Sequence, residues 1–345
     1  MSNFGILESD KSTILVVDDS VENLQLLTGL LKDDYKIKVA KNGLKAIEIV
    51  KRDASIDLIL MDVMMPEMDG YTACAELKRD ELTAQVPIIF LTSLNEATDE
   101  TKGFEYGGAD FISKPFNAQV VKARIRTHLD LQTERRKADK LLRYLLPSTV
   151  IQELKTTGSY VPVIHQHTSI MFCDMVDFTS KAANMEPSVL VNELSDLFAE
   201  FDEIVTTWSG LRIKTLGDGY MAATGLDKKE NSNHAQDLVH AGLDIIAFLK
   251  RRNAVNLNKW ECRIGIHSGP VISGVVGKSR CQFDIMGDNV NIASRVESNG
   301  SSMKVTVTEI TASLLSCSDL LLKPLGETKL KGKGVMNLIE VSKVE

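Results

Sequence analysis

Six residues in the C-terminal half, Asp174, Lys214, Asp218, Asp284, Asn291 and Arg295, are of types that could work together on a nucleotide. Two carboxylates, Asp174 and Asp218, can share a pair of Mg²⁺ or Mn²⁺ ions. Lysine only donates and an ionised aspartate only accepts, so Lys214 and Asp284 can read a purine edge. Asn291 and Arg295, four residues apart, can orient ribose and phosphate. That set suits in-line attack of a ribose 3′-oxygen on the α-phosphorus with loss of pyrophosphate. For such a step one cation lowers the pKa of the attacking hydroxyl while the other steadies the leaving group. A second set lies in the N-terminal half: Asp18, Asp19, Asp62, Thr92 and Lys114. A carboxylate such as Asp62 can attack a phosphoryl donor when a cation held by Asp18 and Asp19 neutralises the phosphate and Lys114 answers the growing charge. The Thr92 hydroxyl can grip a phosphoryl oxygen.

Elements must bring these residues together. Short apolar runs at 13–17, 57–61, 87–91 and 109–112 alternate with helically spaced stretches such as 21–31 and 44–50. This spacing predicts an α/β fold with a doubly wound parallel sheet, whose functional residues gather at the carboxyl ends of the strands. Asp18 and Asp19, Asp62, Thr92 and Lys114 all fall at such ends. Pro66 and Gly70 supply a turn that should expose Asp62.

Residues 117–146 lack Gly and Pro, are densely charged and stop at Pro147. They predict one connecting helix roughly 45 Å long. Leu131, Ala138, Leu141 and Leu145 form a weak a/d-like seam interrupted at Glu134, so the helix is expected to pair in a two-stranded connector, with a solvated spacer as the alternative. Beyond Pro147, runs at 168–173, 211–216, 219–224, 262–266, 303–307 and 335–341, with helical periodicity at 188–207, 235–251 and 289–297, predict an α+β domain built as a single layer pair. Asp218 is placed at the tip of a hairpin, where Gly217 and Gly219 permit a tight turn.

The blocks VVDDS, LMDVMMPEMDG, FLTS and GGADFISKPF resemble response-regulator receiver domains over residues 11–132. The resemblance implies phosphorylation of Asp62 by a sensor histidine kinase, Mg²⁺ held by Asp18, Asp19, Asp62 and the Met64 carbonyl, a Thr92/Phe111 switch pair, and a cis Lys114–Pro115 bond. FCDMVDFT, KTLGDGYMAATG, FDIMGDNVNIASR and KLKGKG resemble the class III nucleotide cyclases over about 165–345, within a domain taken as 147–345. This second resemblance implies Asp174 and Asp218 as ligands of two cations, Lys214 and Asp284 as base readers, Asn291 as the ribose-positioning group and Arg295 as the stabiliser of the α-phosphate. It also implies Lys331 or Lys333, with Lys331 favoured, on the triphosphate. In the family each site is built across a subunit boundary, so one chain carrying every part implies a homodimer with two equivalent sites. Where the family usually has Gly, this chain has Asp177, close to the backbone that should meet the triphosphate.

Adenine offers an acceptor at N1 and a donor at N6, and guanine reverses both. Lys214 with Asp284 therefore matches ATP, giving cyclic AMP as the expected product. Guanylyl cyclase activity and a non-catalytic nucleotide-sensing module are the alternatives. Charge argues against a nucleic-acid partner: 15 Lys and Arg stand against 22 Asp and Glu in residues 1–132, and 20 against 23 in 147–345. Five cysteines, Cys74, Cys173, Cys262, Cys281 and Cys317, show no metal spacing and are expected as reduced core thiols of a cytoplasmic protein. No signal-peptide pattern or membrane-length apolar run is present, so no membrane insertion is expected.

Overall fold

The computed structural model describes residues 11–80, 82–93, 103–226, 233–277, 279–316 and 319–344. Cys317 and the amino-terminal ten residues lie outside them. The chain divides into two compact units, Met1–Leu142 and Arg143–Glu345.

The first unit is a five-stranded parallel sheet in the order β2-β1-β3-β4-β5, formed by β1 (Thr13–Val17), β2 (Lys36–Ala40), β3 (Ile56–Asp62), β4 (Ile88–Thr92) and β5 (Asp110–Ser113). Its central strands β1, β3 and β4 are largely apolar at consecutive positions because both faces are covered, whereas the edge strand β2 (KIKVA) is mostly exposed. Leu15, Val17, Ile59 and Met61 enter one core, while Ile14, Val16, Leu58 and Leu60 enter the other. Helices α1 (Val21–Leu31), α2 (Gly43–Arg52) and α3 (Gly70–Arg79) begin at side-chain caps from Ser20, Asn42 and Asp69. This is the doubly wound architecture expected from the sequence.

Helix α4 (Ala118–Leu145) is continuous up to the turn before Pro147. Val121, Ile125 and Leu129, spaced one turn apart, are buried against the sheet. From Leu131 onward that stripe gives way to exposed side chains, among them Leu131, Leu141 and Leu145. Among the described residues no helix is long and apolar enough to cross a membrane.

The second unit contains a seven-stranded sheet, β14-β15-β13-β10-β7-β9-β8, and a three-stranded sheet, β12-β11-β6. The larger sheet comprises β7 (Ser169–Met175), β8 (Leu211–Leu216), β9 (Gly219–Thr224), β10 (Cys262–Ser268), β13 (Val305–Thr308), β14 (Leu320–Leu330) and β15 (Gly334–Lys343). The smaller one comprises β6 (Val163–His165), β11 (Val271–Val276) and β12 (Gln282–Met286). After α5 (Ser148–Thr157) and the short α6 (Phe178–Ala182), helices α7 (Pro187–Thr207) and α8 (His234–Val255) close one face of the large sheet, with α9 (Asp288–Ser298) on the other. The domain is therefore α+β but not the single layer pair expected. Helices flank both faces and a second sheet is present; its strands β6, β11 and β12 are short and lack a continuous apolar run, so the sequence pattern does not show it. Cys74, Cys173 and Cys262 are buried, whereas Cys281 is exposed at the start of β12 and does not belong to the core expected for it.

On β10 the alternation is strict. Cys262, Ile264 and Ile266 face the core under α7 and α8, while Arg263, Gly265 and His267 face α9. A Cβ at Gly265 would lie 2.0 Å from the backbone nitrogen of Glu297, so only glycine lets the helix seat at this depth. Gly265→Ala should lower stability by at least about 2 kcal/mol through overpacking, read as a lower denaturation midpoint of the full chain.

Candidate active site

In the first unit, Asp18 follows β1 and is fully buried, Asp62 ends β3 and is 5% exposed, and Asp19 is exposed. The turn through Pro66 and Gly70 thus does not expose Asp62 as expected. It folds back so closely that a Cβ at Gly70 would lie 2.2 Å from the Asp62 carbonyl oxygen. Lys114 Nζ donates to Asp18 Oδ2 and to Asp62 Oδ2, each at 2.9 Å. Asn23 Nδ2 and the Ser20 backbone N–H further fix Asp18. Burial, together with the Asp18 charge, raises the Asp62 pKa against the opposing pull of Lys114. One carboxylate oxygen from each of Asp18, Asp19 and Asp62 lies within 4.8 Å of the others, a hard-oxygen donor set that fits a divalent cation.

Thr92 ends β4, and its carbonyl accepts from the Lys114 backbone N–H at 2.7 Å. Phe111 on β5 is half-buried, edge-on to Phe104 and 5.5 Å from the Arg124 guanidinium. The Met64 side chain is exposed at the rim, and the Lys114–Pro115 bond is cis.

In the second unit, Asp174 lies near the end of β7 and Asp218 at the two-residue turn closed by the Leu216–Gly219 pair of β8 and β9. Gly217 has φ +67°, the left-handed conformation that this turn places on glycine. A Cβ at Gly219 would lie 3.6 Å from Asp174 Oδ1, which measures how near the hairpin tip comes to that acid. Burial first, and then the Asp218 charge, raise the Asp174 pKa, opposed by Arg263. A cation between the two acids would relieve their repulsion. Two side-chain carboxylates with substrate phosphates completing the shell is how Mg²⁺ is commonly held, so this pair fits the metal.

Lys214 Nζ donates to Asp284 Oδ2 at 2.6 Å, joining β8 to β12 of the small sheet. Asn291 and Arg295 lie one turn apart on α9, exposed, and among the described residues neither side chain has a protein partner. The same holds for Lys331 in the β14–β15 turn, whereas Lys333 is bonded to Asp288 at the start of α9. The structure therefore brings together Asp174 with Asp218, and Lys214 with Asp284. No bond among the described residues joins either pair to Asn291, Arg295 or Lys331.

The sequence did not point to Arg263 or Glu297. Arg263 stands opposite Asp174 in the β10–β7 register; its Nη2 donates to Asp174 Oδ2 at 3.3 Å and its Nε to Glu297 Oε1 at 3.1 Å. The one available signal was a charged residue inside the apolar run CRIGI, whose meaning depends on strand pairing. Asp177 adopts φ +57°, ψ +29°, a left-handed conformation that glycine takes at less cost than other residues, in keeping with the Gly that the family resemblance implied there. Asp177→Gly should raise the melting temperature by roughly 2 °C and lower the KM for nucleotide a few-fold by removing a nearby negative charge, as read from thermal melts and initial rates.

Comparison with known proteins accords with this geometry. Residues 161–342 match the family described as adenylate and guanylate cyclase catalytic domain, and residues 14–126 match the response regulator receiver domain. Guanylyl cyclase C of Sus scrofa is 37% identical over 214 residues, 61% of this chain and 20% of that protein, so the match spans about a fifth of that relative's length. The guanylate cyclase domain of RhGC from Catenaria anguillulae, solved with GTP, superposes with a TM-score of 0.50 at 28% identity, covering 53% of this chain and 100% of that one. A bacterial light-regulated adenylyl cyclase gives a TM-score of 0.54 at 21% identity over 69% of this chain and 70% of its own, a likeness of fold alone.

Proposed function

The chain belongs to the adenylate and guanylate cyclase catalytic-domain family, with a response-regulator receiver domain ahead of it, and from that premise we propose a homodimeric adenylyl cyclase governed by phosphorylation of Asp62. In this reading the receiver spans 11–132, the connector helix 117–146 and the catalytic domain 147–345. Cyclic AMP and pyrophosphate are the products, and the protein works in the cytoplasm.

The observation that carries the reading is the Lys214–Asp284 contact. Its polarity matches adenine: Lys214 donates to N1 and Asp284 accepts from the N6 amine. Guanine would set donor against donor and acceptor against acceptor. Asn291 orients the ribose so that its 3′-oxygen lies in line with the α-phosphorus, and a P–O bond forms there as the bond to pyrophosphate breaks. Arg295 carries the charge that builds on the α-phosphate. Lys331 pairs with the triphosphate. Divalent cations, held by Asp174 and Asp218, would acidify the attacking hydroxyl and offset charge on the leaving group. In the receiver, Asp62 accepts a phosphoryl group from a sensor histidine kinase, with Mg²⁺ at Asp18, Asp19 and the Met64 carbonyl, Lys114 as countercharge, and Thr92 and Phe111 as the responding pair. Phosphate there acts on the cyclase only by stabilising one arrangement of the dimer more than another.

The test is the ratio of kcat/KM for ATP and GTP, with Mg²⁺ or Mn²⁺, on the purified dimer. A preference for ATP of about 100-fold or more is expected. Guanylyl cyclase activity is the second reading, favoured by the name of the relative and by the GTP in the solved neighbour; dominant use of GTP would establish it. Binding of nucleotide with neither cyclic product would mark a sensing module instead.

A further inference from the structure

Arg263 and Glu297 have no part in the chemistry above, yet they connect its pieces. Three successive same-face positions of β10 grip α9 along its length. Arg263 bonds Glu297 in the last turn, Gly265 admits the Glu297 backbone, and His267 Nε2 meets Asn289 Oδ1 at 3.0 Å in the first turn. The same guanidinium reaches Asp174. One positive charge is thus shared between Glu297, 6% exposed, and an acid of the metal pair.

A guanidinium bonded to a carboxylate competes with a cation for the same oxygens. Its hold on Asp174 depends on how much of its charge is already answered elsewhere. We propose that Glu297 is a positioning residue for cation binding. By engaging Arg263 from the helix side, it leaves the Asp174 carboxylate aimed and negative enough to take a divalent cation. The inference rests on Asp174 and Asp218 being the cation pair.

Glu297→Gln keeps the size of the side chain and an acceptor for Arg263 but removes the negative charge. Among the described residues Arg263 is then left with Asp174 as its one anionic partner, and the cation must displace a tighter pair. Mn²⁺ alone, titrated into the full-length protein and followed by the electron paramagnetic resonance signal of the free ion, reads this without turnover. An Asp18→Asn/Asp19→Asn background removes the receiver cluster from the measurement.

Glu297→Gln should weaken Mn²⁺ binding about tenfold. Adding Arg263→Gln should return binding to the level of the parent or above, because competitor and offset are then both gone. A purely structural role for Glu297 does not predict that recovery, and the neutral double variant keeps the test open if the single variant fails to fold. Mn²⁺ binding that survives Asp174→Ala would overturn the reading of the metal pair, and this inference with it. Binding lost in Asp174→Ala but unaltered in Glu297→Gln, or weakened without recovery in the double variant, would overturn the inference alone.

Discussion

Asp174→Ala chains and Arg295→Ala chains, each at least about 100-fold less active than the parent, should together recover roughly a quarter of parental activity once mixed and allowed to exchange. Random pairing makes half of the dimers mixed. Each mixed dimer holds one doubly damaged site and one intact site. The expectation follows from how α9 presents its side chains. Arg295 and Glu297 are two residues apart, about 200° around the helix. Glu297 is turned inward to Arg263 and, through it, toward Asp174, while Arg295 is exposed on the opposite side with no protein partner among the described residues. Within one chain, then, Arg295 is turned away from the acid pair, and in the proposed dimer a second chain would supply its counterpart. Activity measured against mixing ratio should peak at equal amounts. Absence of recovery in samples shown to contain mixed dimers would mean that each chain completes its own site.

The parts of this arrangement that could be read from sequence are those fixed by local patterns. Residues 211–216 and 219–224 are strands with the expected bounds, because a partly alternating run (LRIKTL) and a consecutive apolar run (GYMAAT) meet at a Gly-Asp turn whose geometry needs little from the rest of the chain. The parallel sheet was legible because residues 14–17 and 58–61 are apolar at four consecutive positions, as a strand covered on both faces requires. The small sheet was not legible: Val163–His165 is three residues long, and Val271–Val276 contains Gly274. The burial of Asp62 went the other way from expectation because the turn that seemed to present it packs Gly70 against its own carbonyl. Arg263 and Glu297 acquire meaning only when β10 lies beside β7 and beneath α9, a relation between segments far apart in the chain. Pairwise contacts across the sheet, rather than residue types along it, made up what the sequence withheld.

Reversing the hydrogen-bond polarity at the base should reverse the choice of nucleotide. In Lys214→Glu/Asp284→Asn, the carboxylate at 214 can accept from the guanine N1–H and the amide at 284 can donate to O6; with adenine the amide oxygen can still accept from N6, but the carboxylate at 214 is set against the N1 lone pair. One charged group left against a like partner costs at least about 1–3 kcal/mol, so kcat/KM for ATP should fall by about 10- to 100-fold and that for GTP should rise past it. The pair must be changed together. Lys214→Glu alone would set two carboxylates where a 2.6 Å ion pair now stands, and their repulsion would pull β8 away from β12 and confound the reading. Because Asp218 sits at the tip of the hairpin whose first strand carries Lys214, the double variant should also be checked for an unchanged metal requirement; a shift there would show that the hairpin had moved. If the variant kept its preference for ATP with the hairpin in place, Lys214 and Asp284 would not be reading the base, and the choice between purines would have to lie elsewhere in the pocket.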